Sequence, residues 1–197
     1  MKTFYQLLEG VYDPNIFKAF FMAGGPGSGK SYAVQLGIGQ AQKDVKVTAQ
    51  GLRVVNSDDV FEKLVKAAGM NMDMRNYTAA QEKRRDELRD IAKRVTRARE
   101  KNYVEGRLGL IIDGTGKNYD KIEKQMRELQ QLGYESHMIF VNTSLDVALE
   151  RNQKRPRKLP EPLVVKSWNN VQKNIGKFQN LFRDKFIIVD NNDPNEP

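Results

Sequence analysis

The run GGPGSGKS at residues 24–31 constrains this chain's fold more than any other stretch. It satisfies G-x-x-x-x-G-K-[ST] without a mismatch. An apolar segment, KAFFMAG (18–24), precedes it, and a helical pattern from Lys30 to about Lys43 follows. A strand, a glycine-rich turn and a helix in that order gather backbone N–H groups at the positive end of a helix dipole. The glycines permit positive φ and let those groups approach an anion closely. A lysine at this point faces the β- and γ-phosphates of a nucleotide, and the hydroxyl after it can ligate Mg²⁺. The pattern therefore assigns Gly25, Pro26, Gly27, Ser28, Gly29, Lys30, Ser31 and Tyr32 to a nucleotide phosphate site, with Ser31 as a metal ligand.

The rest of the chain alternates between short apolar runs and helical patterns. Strands are expected at 18–24, 52–56, 108–113, 137–142 and 185–190, each nearly continuous in apolar residues. Such runs suit a sheet covered on both faces. Between them, a helix follows Ser57, with Phe61, Leu64 and Val65 on one side. A long helix covers about 78–104, opened by a Thr78–Gln81 capping box and striped by Leu88, Ile91, Val95 and Ala98. The segment 118–133 is striped by Tyr119, Ile122, Met126 and Leu129. Thr143 and Asp146 offer a second capping box, and one final helix is expected over 162–182. Alternating strands and helices predict an α/β fold with a parallel sheet, in a single domain over 1–197. The basic, proline-punctuated KRPRKLPEP (154–162) reads as a mobile loop, and the tail 191–197 reads as frayed.

Two acidic positions stand where a parallel sheet presents its ligands, beyond the carboxyl ends of strands. IIDGTG ends the third strand with Asp113, a candidate for holding Mg²⁺; a turn aspartate is the plainer alternative. VVNSDD ends the second with Ser57, Asp58 and Asp59. Asp58 is the candidate general base for an acceptor hydroxyl, while helix capping by Ser57 with acids in the first turn explains the same residues structurally. The basic run ERNQKRPRK places Arg151 and Arg155 four residues apart, on one helix face if the helix extends that far. Arginines there can stabilise phosphate charge, or simply complement a helix C-terminus.

Composition narrows the chemistry. There are no cysteines, which excludes disulfides and thiolate metal sites, and the single histidine, His137, rules out a histidine-cluster metal site. A net charge of +8 favours anionic partners such as nucleotides or nucleic acid. The N-terminus lacks a basic segment followed by a long apolar run, so a cytoplasmic protein with no membrane association is expected. Gly114 stands directly after Asp113, where ATP-hydrolysing motors carry a water-activating glutamate. The D-x-x-G at 113–116 has no N-K-x-D partner downstream. A hydroxyl is thus a better phosphate acceptor than water. A second class of reading is a nucleotide-gated module that binds nucleic acid or protein without phosphotransfer, motivated by the basic helix at 82–101.

Taken together, GGPGSGKS, VVNSDD, IIDGTG and FVNTSLDVALERNQKRPRKLP resemble the P-loop kinases grouped around polynucleotide 5′-hydroxyl kinase and the zeta toxins. The resemblance implies a three-layer P-loop NTPase fold, with a five-stranded parallel sheet in the order 2-3-1-4-5 and a short lid at 154–162. It implies ATP and Mg²⁺ as cofactors, Lys30 and Ser31 on nucleotide and metal, and Asp58 as general base. Asp113 falls near metal or acceptor, and Arg151 with Arg155 on the phosphates. The acceptor it implies is a polynucleotide 5′-hydroxyl, a nucleotide or a UDP-sugar, and a zeta-type toxin also implies an antitoxin-like protein partner. One position departs from the pattern. Polynucleotide kinases carry an arginine three residues after the base, and this chain has Phe61 there.

Overall fold

The central strand β1 (Lys18–Ala23) is apolar on both faces because both are covered. It lies between β3 (Leu110–Asp113) and β4 (Glu135–Asn142), with β2 (Arg53–Val55) outside β3 and β5 (Phe186–Asp190) outside β4. The sheet is five-stranded, in the order β2-β3-β1-β4-β5, and every pairing is parallel. This is the implied topology. The computed structural model describes residues 16–30, 32, 47–48 and 50–192. Ser31, the helix expected up to Lys43 beyond Lys30 and Tyr32, and residues 193–197 of the expected frayed tail lie outside the described residues.

Alternation along β1 divides the core. Ala19, Phe21 and Ala23 point to one face, where they meet Met126 and Leu129 of α3 (Tyr119–Gln131) and Phe178 and Phe182 of α6 (Ile175–Phe182). Met22 points to the other face, with Leu52, Ile111 and Val141. Phe21, Phe140 and Phe178 are essentially inaccessible, and burying each contributes roughly 1.5–3 kcal/mol over leaving it exposed. A separate cluster joins α1 (Asp58–Ala67) to α2 (Ala79–Glu105) through Phe61 and Val65 against Leu88 and Ala92. The remaining helices are α4 (Leu145–Lys154) and α5 (Glu161–Gln172). Among the described residues, no helix is long and apolar enough to cross a membrane.

Several local expectations change. The Thr78–Gln81 capping box forms, but Ser57 makes no side-chain cap; Asn56 Oδ1 instead accepts from the Asp58 N–H at 2.7 Å. The residue capping α4 is Ser144, not Thr143, whose hydroxyl donates to the Ser28 carbonyl. On α2, Val95 and Ala98 are exposed, and the inward line is Leu88, Ala92, Thr96 and Glu100, where polar groups take over from apolar ones. The helix expected over 162–182 breaks at residues 173–174. There the buried Asn174 donates its side-chain amide to the Gly116 carbonyl at 2.9 Å, a tertiary bond that sets the start of α6.

Candidate active site

Parallel pairing brings the carboxyl ends of all five strands to one edge, and the loops that leave them build the site. After β1 the chain enters the glycine loop. Gly24 and Gly27 have φ of +151 and +82, and a Cβ at Gly27 would stand 2.5 Å from the Ala148 carbonyl oxygen. The loop is anchored from behind. The Ser28 carbonyl accepts from the Asn191 side-chain amide at 2.9 Å and from the Thr143 hydroxyl at 3.2 Å. Because the peptide is trans, fixing that carbonyl turns the Gly29 N–H the opposite way, off the anchoring side. Trp168 packs beside Gly25 and donates its indole N–H to the Thr143 carbonyl at 2.8 Å. Pro26 lies in the turn of the loop, and Tyr32 lies in the helix that follows.

Lys30 Nζ donates to the Gly24 carbonyl at 2.8 Å and to the Gly25 carbonyl at 3.3 Å, which folds the ammonium back over the loop. Burial lowers its pKa; the carboxylates of Asp113 and Asp58 pull it upward, and the charges of Arg155 and Arg157 push it down again. Asp113, at the tip of β3, accepts from the Asn56 amide at 2.7 Å. Burial raises its carboxyl pKa, and the charge of Lys30 opposes the rise. Lys30, Asp58 and Asp113 therefore share one electrostatic neighbourhood, although they leave β1, β2 and β3 respectively.

Asp58 is the first residue of α1. Burial alone would raise its pKa, but the hydrogen bond and charge of Arg157, with those of Arg89, outweigh burial and hold the carboxyl far below the ordinary aspartate range. Arg157 Nη2 donates to Oδ2 at 2.7 Å and Arg89 Nη1 to Oδ1 at 2.6 Å. The Arg89 guanidinium also lies 3.7 Å over the Phe61 ring. The aromatic ring at the departing position thus carries an arginine from another helix to the side of Asp58.

Arg151 and Arg155 do not share a helix face. Helix α4 ends at Lys154, and Arg155 is its extended C-cap. Arg151 donates to the Asn191 carbonyl at 3.1 Å, and Arg155 to Asn152 Oδ1 at 3.0 Å. The fully buried Asn152 shapes the connection 155–160. Its amide donates to the Leu159 carbonyl at 2.9 Å, and its oxygen accepts from the Leu159 N–H at 3.1 Å. Nε of Arg155, and Nε and Nη1 of Arg157, are buried without a hydrogen-bond acceptor. Buried guanidinium donors without an acceptor, near a loop of the phosphate-binding pattern, could hold phosphate oxygens. Asp113 could offer a hard carboxylate oxygen of the kind Mg²⁺ prefers.

A family model for zeta toxin matches residues 13–196, nearly the whole chain. The chain belongs to the zeta toxin family. No curated protein sequence matches it. Solved structures similar to this zeta toxin family member share its fold at low identity. A protein described as a kinase, from Chloroflexus aurantiacus, is 13% identical with a TM-score of 0.53, covering 93% of this chain and 90% of that one. The PezAT toxin–antitoxin system of Streptococcus pneumoniae gives 17% identity and a TM-score of 0.57, covering 88% of this chain and 68% of that one. The AvrRxo1-ORF1:ORF2 complex gives 15% identity and a TM-score of 0.60. The match covers 88% of this chain but 54% of that one, so this chain spans about half of it; that complex has also been solved with ATP.

Reading the sequence missed Arg89, Asn152 and the particular part played by Arg157. Arg89 is 31 residues from Asp58 on an arginine-rich helix, where nothing local distinguishes it from Arg84 or Arg94. Arg157 was visible only as one cation in a basic run.

Proposed function

We propose that this protein transfers the γ-phosphate of ATP to a hydroxyl acceptor with Mg²⁺ bound. The observation that carries this reading is that Lys30, Asp58 and Asp113 follow the carboxyl ends of the neighbouring strands β1, β2 and β3, with Asn56 bonded both to the Asp58 N–H and to the Asp113 carboxylate. Residues 25–32 cradle the phosphates, and Lys30 exchanges its two loop carbonyls for phosphate oxygens. Mg²⁺ held by Asp113 and Ser31 would neutralise charge on those oxygens. Asp58 accepts the proton of the acceptor hydroxyl. That oxygen bonds to the γ-phosphorus as the bond to the β-bridging oxygen breaks, and ADP leaves with the electron pair. Arg151, Arg155 and the connection 155–160, which stands where the lid is expected, act on the phosphate charge. Gly114, with no carboxylate to activate water, supports transfer over hydrolysis.

The acceptor classes are a polynucleotide 5′-hydroxyl, a nucleotide and a UDP-sugar, and the family relation adds a neutralising protein partner in the cytoplasm. The binding-only alternative gains little from α2, whose basic residues include Arg84, Arg85, Lys93 and Lys101 paired with acids of the same helix. The test is labelled ATP with 5′-hydroxyl oligonucleotides, nucleosides and UDP-sugars in parallel. Transfer to one class is expected, and Asp58→Asn should cut it at least ~10²-fold while still binding nucleotide. Nucleotide binding with no transfer to any acceptor would count against a kinase, and full activity of Asp58→Asn would remove Asp58 as the base. Expression of the wild type and of Lys30→Ala tests toxicity, since equal growth would argue against a catalytic toxin.

A further inference from the structure

Each carboxylate oxygen of Asp58 is engaged by a different arginine, Arg89 on Oδ1 and Arg157 on Oδ2. A carboxylate capped by two guanidinium cations is a poor proton acceptor, because both bonds favour the anion. For Asp58 to serve as a base, one cap must come off, and the two arginines are held very differently. Arg89 rises from the interior of the 27-residue helix α2 and is stacked on Phe61, whose ring is fully buried in the α1–α2 cluster. Arg157 comes from the connection 155–160, outside any helix or strand. Its Nη1 lies 3.3 Å from Glu62 Oε1 without an aligned hydrogen bond, and its Nε has no acceptor although it is buried. A buried guanidinium with an unbonded Nε, and an Nη1 that has only a misaligned ion pair, can take more oxygen atoms than Asp58 supplies. The same charge acts on Lys30, the residue that marks the phosphate position.

We infer that Arg157 is a positioning residue with two alternative partners, the Asp58 carboxylate and the phosphate oxygens of a nucleoside triphosphate, and that it holds one at a time. Nucleotide binding then draws Arg157 off Oδ2, and Asp58 is left oriented by Arg89 alone and open to the acceptor hydroxyl. The base becomes available only in the presence of the phosphate it will help to transfer. This rests on the reading of residues 24–31 as a nucleotide site.

The test is a thermodynamic cycle on the affinity for a non-hydrolysable ATP analogue with Mg²⁺, measured by calorimetry on wild type, Asp58→Asn, Arg157→Gln and the double variant. Asp58→Asn should tighten binding about 5-fold or more, because Arg157 no longer has to be pulled from its ion pair. In the Arg157→Gln background the same change should alter affinity by less than about twofold. Loss of a negative charge near the phosphates would tighten both backgrounds equally, so only the difference between them counts. Glu62→Gln, at a half-exposed position on α1, is a second variant that removes only the ion pair to Arg157 Nη1 and leaves Asp58 and the glycine loop unchanged, and it should show the same Arg157-dependent tightening. Equal effects in both backgrounds would overturn the two-partner role and leave the kinase reading standing. Failure of the wild type to bind the analogue would overturn the nucleotide site, and this role with it.

Discussion

Gly27 turns with φ +82, and an added Cβ would meet the Ala148 carbonyl oxygen at 2.5 Å, with that residue's Cα and carbonyl carbon each at 3.2 Å. These are backbone atoms of α4 and cannot rotate away. Gly27→Ala is therefore expected to weaken ATP binding about tenfold or more, which calorimetry would read as a shift in Kd. The strained backbone should also cost about 1–3 kcal/mol of stability. The motif G-x-x-x-x-G-K-[ST] leaves position 27 open; the positive φ belongs to the turn itself, but the clash comes from Ala148 of α4, which local pattern does not show. The surroundings of Asp58 were not fully legible either. Its N–H is held by Asn56, only two residues away, but its carboxylate is held by arginines 31 and 99 residues distant. Local pattern shows which residue types can cap or catalyse, and only the packing of α1 on α2 through Phe61 selects Arg89 from its neighbours.

At the scale of elements, the five strands follow from unbroken apolar runs, and their order is the one the family resemblance implies, whereas no proline marks the break between α5 and α6. It is fixed by Asn174 reaching Gly116, a contact that helical periodicity cannot encode. The connection after α4 is a similar case: Asn152 satisfies both the N–H and the carbonyl of Leu159. Removing those partners with Asn152→Ala should destabilise the protein by about 1–3 kcal/mol, since the half-buried Leu159 N–H and carbonyl each lose a partner worth roughly 0.5–1.5 kcal/mol. Chemical denaturation measures this, and faster tryptic cleavage around 154–158 should accompany it. At the opposite sheet edge, Glu135 at the start of β4 pairs with Lys18 of β1 and with Lys185 ahead of β5. The hydrogen bonds from Lys18 and Lys185 lower its carboxyl pKa from 4.5 to about 2. The unfolded chain then binds the proton first as pH falls, so this stabilisation is complete above about pH 4.5 and is lost progressively toward pH 2. Glu135→Gln should flatten the stability profile across that window and leave its shape near neutral pH unchanged.

For the molecule as a whole, the site joins parts that the chain order keeps apart: the glycine loop near the start, Asp58 and Asp113 in the middle, and Asn191 after the last strand. Ser28 illustrates the coupling, since its carbonyl is held by Thr143 after β4 and by Asn191 after β5. A ligand that engages this loop is linked to the ends of three strands, so its binding energy should appear as resistance to global unfolding. Linkage gives about 2.7 kcal/mol of added stability at a ligand concentration one hundred times Kd. For a domain of this size each kcal/mol is worth about 2–4 °C, so saturating ATP with Mg²⁺ should raise Tm by roughly 5–10 °C. Lys30→Ala should lose most of that shift if, as proposed, its ammonium faces the β- and γ-phosphates. Asp113→Asn should lose the part that depends on Mg²⁺, so its shift with ATP should be the same with Mg²⁺ as with EDTA. Equal shifts in wild type and Lys30→Ala would mean that the nucleotide binds elsewhere, and a Mg²⁺ increment surviving in Asp113→Asn would move the metal to other oxygen ligands.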